Sequence, residues 1–94
     1  MTDWIFAQTD PTDQLAKLHH FSITKTAENG SPVEFVITVR EYVTPKDPMM
    51  KFFATSDRQT NQKALPYTPC AWARTLLQAL SECIVAIHKF PYQG

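Results

Sequence analysis

The sequence has little glycine, little cysteine and no excess of charge of either sign. Its 94 residues contain only two glycines, Gly30 and Gly94, so a glycine-rich loop that would cradle phosphate groups is excluded. Nine lysines and arginines balance nine aspartates and glutamates. This balance argues against a nucleic-acid-binding protein, because such proteins neutralise phosphates with a surplus of basic residues.

Long hydrophobic runs are also missing. No apolar run approaches the ~20 residues that span a bilayer, and residues 1–7 lack the basic and long apolar segments of a signal peptide. The two cysteines, Cys70 and Cys83, would lie roughly 20 Å apart if both belong to one helix. A disulfide needs Cα atoms within ~7 Å of each other. We therefore expect a reduced, cytoplasmic protein that does not enter membranes.

The chain does contain enough apolar residues to close a core. Hydrophobic residues make up 44% of the sequence and aromatic residues 12%, which argues against a disordered chain. A length of 94 residues leaves no room for a second core. Residues 1–94 are predicted to form a single domain.

The clearest predicted element is a helix over residues 68–90. Thr68 suits the N-cap, and Pro69 suits the first helical position, where a missing N–H costs nothing. Pro91 ends the helix. Apolar residues recur every three or four positions, which indicates an amphipathic helix with one buried stripe: Ala73, Leu76, Leu77, Leu80, Cys83, Ile84 and Ile87.

Residues 19–56 are predicted to form antiparallel strands, and Asn29-Gly30 indicates a hairpin between the first two. A two-residue turn would pair Phe21 with Thr38 and divide the apolar residues between two faces. A three-residue loop with Gly30 in a left-handed conformation instead pairs Phe21 with Ile37, and likewise Ile23 with Phe35 and His19 with Val39. We predict the three-residue loop, because burial selects the register that keeps apolar residues on one face.

The remaining segments complete the predicted fold. A third strand is expected at residues 49–56, and residues 57–67 form a loop whose length is typical of functional or mobile connections. The N-terminal segment, residues 1–18, is predicted to hold an edge strand at 4–7 and a short helix from Asp10 through Leu18. The fold class is α+β: a three- or four-stranded antiparallel meander with the C-terminal helix packed on one face.

Candidate ligand-binding residues lie where the loop meets the predicted helix: Asp57, Arg58, Asn61, Lys63, Cys70 and Trp72. The polar members could bind a small anion together with the free N–H groups of the helix start. Cys70 would lie in the first helical turn, where the helix dipole lowers the pKa of a thiol and makes it reactive. A solvated loop followed by a half-buried cysteine would have the same composition.

Catalytic and metal-binding motifs are not found. His19 and His20 are adjacent, so on a strand they point to opposite faces and cannot chelate one ion. No His or Cys pair has the spacing of a metal site, and no nucleophile or paired-carboxylate motif is present. We predict no metal, no cofactor and no catalytic residue, and the sequence leaves enzymatic activity open.

The second face of the predicted sheet also carries apolar residues. Val36 and Tyr42 lie there beside Thr38 and Arg40, so a further covering surface is needed. In a chain of this size another copy is the nearest source. The first hypothesis is therefore a homo-oligomeric interaction module without catalysis, with a dimer favoured.

Two other hypotheses come from different functional classes. One is a small ligand-binding protein or enzyme that uses the corner from Asp57 to Trp72. The other is a protein that binds single-stranded nucleic acid through its sheet. The order of several strands followed by one long helix resembles the small single-stranded-nucleic-acid-binding folds of the Whirly and Pur types. That resemblance lies in element order alone, and it implies four antiparallel strands and dimer formation.

Overall fold

The protein is described by a computed structural model that covers residues 7–10 and 12–94. The elements in chain order are β1 (Ala16–Thr26), β2 (Pro32–Tyr42), a short 3₁₀ helix (Pro48–Met50), β3 (Phe52–Ser56), β4 (Cys70–Ala73) and α1 (Leu76–Lys89). The strands form one antiparallel sheet in the order β1-β2-β3-β4. This is the predicted α+β meander with a C-terminal helix, in its four-stranded form.

The β1–β2 hairpin confirms the three-residue loop. Phe21 pairs with Ile37, and the ladder continues on both sides in the predicted register. The Ala27 N–H donates to the Ser31 carbonyl at 2.7 Å, and the Gly30 N–H donates to the Ala27 carbonyl at 2.9 Å. Gly30 has a φ of +89°, which glycine adopts without a steric penalty.

The alternation of side chains divides the sheet into an inner and an outer face. Directly paired residues of neighbouring strands share a face, and the inner face carries Phe35, Ile37 and Val39 of β2 with Ala54 of β3, all at 0% exposure. The helix α1 packs on this face and contributes three fully buried side chains: Ala79, Cys83 and Ile87. Full burial of an Ile, Val or Phe side chain stabilises the fold by about 1.5–3 kcal/mol, so this layer holds the domain together.

The predicted start of the helix is wrong. Residues Cys70–Ala73 form β4 and pair with β3, and the helix begins at Leu76 with Thr75 as its N-cap. The Thr75 Oγ1 accepts a hydrogen bond from the Gln78 N–H at 3.1 Å. Pairing with β3 satisfies the backbone groups of β4, and this tertiary contact overrides the local capping signal at Thr68.

The later start also corrects the predicted buried stripe. Leu77 is 74% exposed, whereas Ala79 and Ala86 lie on the buried face. Small side chains at these positions allow the helix to approach the sheet closely.

The C-terminal end of α1 is held by Lys25 of β1, whose Nζ donates to the carbonyls of Ile87 at 2.8 Å and Phe90 at 2.9 Å. Desolvation lowers the pKa of Lys25.

Three smaller expectations can also be compared with the structure. The third strand is shorter than predicted, because residues 48–50 form the 3₁₀ helix, and Asp47 caps this helix by accepting from the Met49 N–H. The short helix from Asp10 through Leu18 is wrong, since β1 already begins at Ala16. The predicted edge strand covers residues 4–7, and residues 4–6 lie outside the part of the chain that the structure describes. The 57–67 connection is irregular, with one bridge between Thr60 and Tyr67.

Candidate functional site

The predicted site residues do not form one cluster. Asp57 and Arg58 are tied to β2: the Asp57 Oδ1 accepts from the Val36 N–H at 3.0 Å, and the Arg58 Nε donates to the Glu34 carbonyl at 2.8 Å. Both contacts fix the loop after β3 to its neighbouring strand. A ligand role for these two side chains remains a prediction.

Asn61 and Lys63 are tied to the C-terminal segment, which Arg58 also contacts: its Cζ lies 6.0 Å from the centroid of the Tyr92 ring. The Asn61 N–H donates to the Pro91 carbonyl at 2.8 Å, and the Lys63 N–H donates to Gln93 Oε1 at 2.9 Å. The free N–H groups of a helix start, which the predicted anion site required, lie at Leu76 and not at Thr68. An anion-binding role for Asn61 and Lys63 likewise remains a prediction.

The two cysteines lie in different environments, and their predicted separation along one helix is wrong. Cys70 is exposed on β4. Cys83 is buried in α1, and its Sγ lies 3.8 Å from the carbonyl oxygen of Pro69, the residue before Cys70. Desolvation, with a smaller contribution from the nearby Cys70, raises the pKa of Cys83 to about 11. Cys70 lies on a strand, and not in the first turn of a helix as the sequence predicted.

The outer face of the sheet lies on the side away from α1. It is called the open face below, and it consists of the even-numbered residues of β1, β2 and β4 and the odd-numbered residues of β3. None of its residues is buried, whereas the inner face carries buried residues on both central strands: Phe35, Ile37 and Val39 of β2 and Phe52, Ala54 and Ser56 of β3. The helix α1 packs on the opposite side, against the core of the inner face. Val36, Thr38, Arg40 and Tyr42 lie on the open face, as the sequence predicted.

Three aromatic side chains form a cluster on the open face. Trp72 lies 4.5 Å from Phe53 and 5.9 Å from Tyr42 between ring centroids, and its plane is inclined by only 17° to that of Tyr42. Trp72 is nevertheless 46% exposed, and Leu18 on the same face is 50% exposed. The cluster therefore presents apolar surface to solvent in addition to the contacts that it makes internally.

One row of this face crosses all four strands. Leu18 pairs with Arg40, Arg40 with Phe53, and Phe53 with Trp72. Arg40 is half-buried between its neighbours. No carboxylate in the described part of the chain lies within ion-pair distance of its guanidinium group.

A pocket borders the aromatic cluster. It has a volume of about 250 Å³ and is walled by Tyr42, Trp72 and Met50, with Gln14, Lys46 and Asp47 supplying polar groups. It opens where the chain leaves β2 and enters the 3₁₀ helix. Its aromatic walls can take a flat or apolar group from a partner.

The open face is close to electrically neutral. Among its strand positions, Arg40 is the single lysine or arginine and Glu34 the single aspartate or glutamate, and Glu34 accepts a hydrogen bond from the Ser22 hydroxyl. On the inner face, His19 Nε2 lies 2.9 Å from Glu41 Oε1 and Lys51 Nζ lies 3.8 Å from Glu41 Oε2. Because the open face carries almost no net charge, it does not attract a strongly charged partner.

Metal-binding and membrane-spanning features are not found in the residues that the structure describes. No three His, Cys, Asp or Glu side chains among them are grouped to hold a metal ion. Within the same residues, no helix has the length and apolar character needed to cross a membrane.

Sequence reasoning missed the aromatic cluster because it placed Trp72 on a helix. A signal was present: in Cys70-Ala71-Trp72-Ala73, small residues alternate with larger ones, as they do in a strand covered on one face only. Four residues are too few for this signal to outweigh a helical pattern that extends over residues 68–90. The chain matches no protein-family model, no curated protein and no solved structure.

Proposed function

We propose that this chain is a homo-oligomeric interaction module, with a dimer as its basic form, and that the open face is its interface. The observation that carries the proposal is the aromatic cluster of Tyr42, Phe53 and Trp72 on the open face, in which Trp72 is 46% exposed. Removing apolar surface from water favours association. Aromatic side chains are also enriched at the centres of protein interfaces.

Charge favours a second copy over a nucleic acid as the occupant. With one arginine and one glutamate among its strand residues, the open face neither repels its own copy nor attracts phosphates. A nucleic-acid interface instead carries several cations along one face. The exposed thiol of Cys70 fits a reduced compartment, and we place the protein in the cytoplasm on that basis.

The test is the mass of the protein in solution. At micromolar concentration, light scattering should give a mass near twice the 10.7 kDa of the chain. Trp72→Ser should shift the mass towards the monomer, because it removes the largest exposed ring of the cluster. Leu77→Ser is the matched control: it removes an exposed apolar side chain from the far side of the domain and should leave the dimer intact.

A wild-type mass of 10.7 kDa at that concentration would contradict the proposal. An equal loss of the dimer in Trp72→Ser and Leu77→Ser would contradict the assignment of the interface to the open face.

Single-stranded nucleic acid is the second candidate occupant, because exposed rings beside an arginine can stack with bases. It predicts that fluorescein-labelled oligonucleotides bind at low salt, and that binding weakens steeply as the salt concentration rises. The homo-oligomer proposal predicts no such binding.

A further inference from the structure

We propose that two copies meet about a twofold axis that runs along β3 on the open face, so that Arg40 of each copy packs on Trp72 of the other. This inference rests on the proposed dimer and adds its geometry. The position of the axis follows from the row of residues that crosses the sheet, in which Phe53 lies midway between Arg40 and Trp72.

The strand spacing makes this exchange possible. Neighbouring strands lie about 4.8 Å apart, so Arg40 and Trp72 lie at nearly equal distances on either side of Phe53. A twofold axis along β3 exchanges β2 of one copy with β4 of the other. Phe53 then meets Phe53 of the partner copy at the axis, and each guanidinium lies over the partner's Trp72.

The chemistry of Arg40 selects this pairing. The guanidinium is half-buried and has no carboxylate partner among the described residues, so covering it with an apolar surface would leave a charge without compensation. The face of a tryptophan ring is the best aromatic partner for a cation. Trp72 is 46% exposed, which leaves part of its ring available.

Other twofold axes in the plane of the interface are less favourable. An axis across the strands at the level of Phe53 would place Arg40 on Arg40 of the other copy, where like charges repel. An axis across the strands at the level of Thr38 would place Arg40 over Val36 and Tyr42 over Glu34 of the other copy, so the guanidinium would meet an aliphatic side chain. Of these three axes, the one along β3 brings both ring against ring and cation against ring.

The first experiment measures the dimer dissociation constant of Arg40→Gln by sedimentation. We expect the dissociation constant to rise about tenfold. The twofold symmetry gives the dimer two equivalent cation–ring contacts, and the variant loses both. Arg40→Lys keeps a cation and should lose less. Lys63→Gln removes an exposed cation from the loop after β3 and should leave the constant unchanged.

The second experiment locates the axis by cross-linking. In a Cys70→Ser background, Thr55→Cys places a thiol on β3, and packed sheets lie about 10 Å apart, within reach of a short bismaleimide. Ser22→Cys places a thiol on β1, roughly 20 Å from its counterpart measured across the sheet. Cross-linking at Thr55→Cys and not at Ser22→Cys supports the axis. The buried Cys83 remains unreactive in both variants.

The outcomes separate the two proposals. A wild-type protein that is monomeric overturns both of them. A dimer that cross-links at Ser22→Cys but not at Thr55→Cys, or that is unaffected by Arg40→Gln, overturns the axis and leaves the proposed function standing.

Discussion

At the scale of single residues, the two thiols show how position within the fold decides chemistry. Cys70 and Cys83 lie close to each other, yet one is exposed and the other has no solvent-accessible surface. Thiolate forms only when the charged group can be solvated or compensated. Burial therefore separates the behaviour of two side chains with the same intrinsic reactivity.

Cys70 should react with iodoacetamide at neutral pH much faster than Cys83. The reason is access, since Cys83 packs in the core and burial raises its pKa to about 11. Mass spectrometry of the alkylated protein over time measures both rates. Equal rates would mean that α1 opens readily or that Cys83 lies on another face.

The raised pKa of Cys83 also predicts a pH dependence of stability. Below pH 9 the thiol is protonated in both the folded and the unfolded state. Between the ordinary thiol pKa of 9.0 and the raised pKa of about 11 only the unfolded state releases the proton, so the free energy of unfolding should fall as the pH rises. The loss should be on the order of 2 kcal/mol by pH 11.

Urea unfolding of the wild type and of Cys83→Ala at pH 8 and pH 11 measures this effect. The variant lacks the titrating thiol, so its stability should fall by less over the same interval. Parallel losses in the two proteins would exclude Cys83 as the cause.

At the scale of elements, α1 is held by the side chains that face the sheet. Ile87 is 0% exposed, whereas Leu77 is 74% exposed although both belong to the apolar pattern of the helix. Ile87→Ala should destabilise the protein by about 2–5 kcal/mol. Leu77→Ala should change the stability by less than ~0.5 kcal/mol.

Thermal and urea denaturation of the two variants test the phase of the helix. A large loss for Leu77→Ala together with a small loss for Ile87→Ala would show that the opposite face is buried.

The hairpin between β1 and β2 depends on one backbone conformation. Gly30 has a φ of +89°, and a Cβ built there has no neighbour within 4 Å. Gly30→Ala should therefore destabilise through backbone strain and not through a steric clash, by about 1 kcal/mol. Gly30→Asn should lose less, because asparagine tolerates the left-handed region better than alanine does. A neutral Gly30→Ala variant would exclude the left-handed loop.

At the scale of the whole molecule, one helix covers one face of a four-stranded sheet. The open face is left with the aromatic cluster and one half-buried arginine. If a second copy covers this face, the melting temperature should rise with protein concentration, because association stabilises the folded state by mass action.

Calorimetry at about 5 µM and about 200 µM measures this shift, and Trp72→Ser should reduce it. The same melting temperature at both concentrations in the wild type would contradict association through the open face.

The sequence by itself determined the β1–β2 hairpin and the meander to which it belongs. Its period of two, the Asn29-Gly30 turn and the need to bury Phe35 and Ile37 together agree on a single register. These signals are local, since the partners lie within one hairpin and a slip by one residue would expose the whole apolar set. The outward position of Tyr42 and Arg40 followed from the same alternation.

Only the tertiary structure decided the start of the helix and the composition of the open face. The segment from Thr68 to Ala73 has a capping residue, a proline and an apolar pattern that all fit a helix. It forms β4 because the edge of β3, whose paired residues lie 15 to 21 positions earlier in the chain, offers hydrogen bonds and a buried place for Ala73. That contact is non-local, so no pattern within the segment reports it. Trp72 consequently lies beside Phe53 on the sheet, where it forms part of the proposed interface.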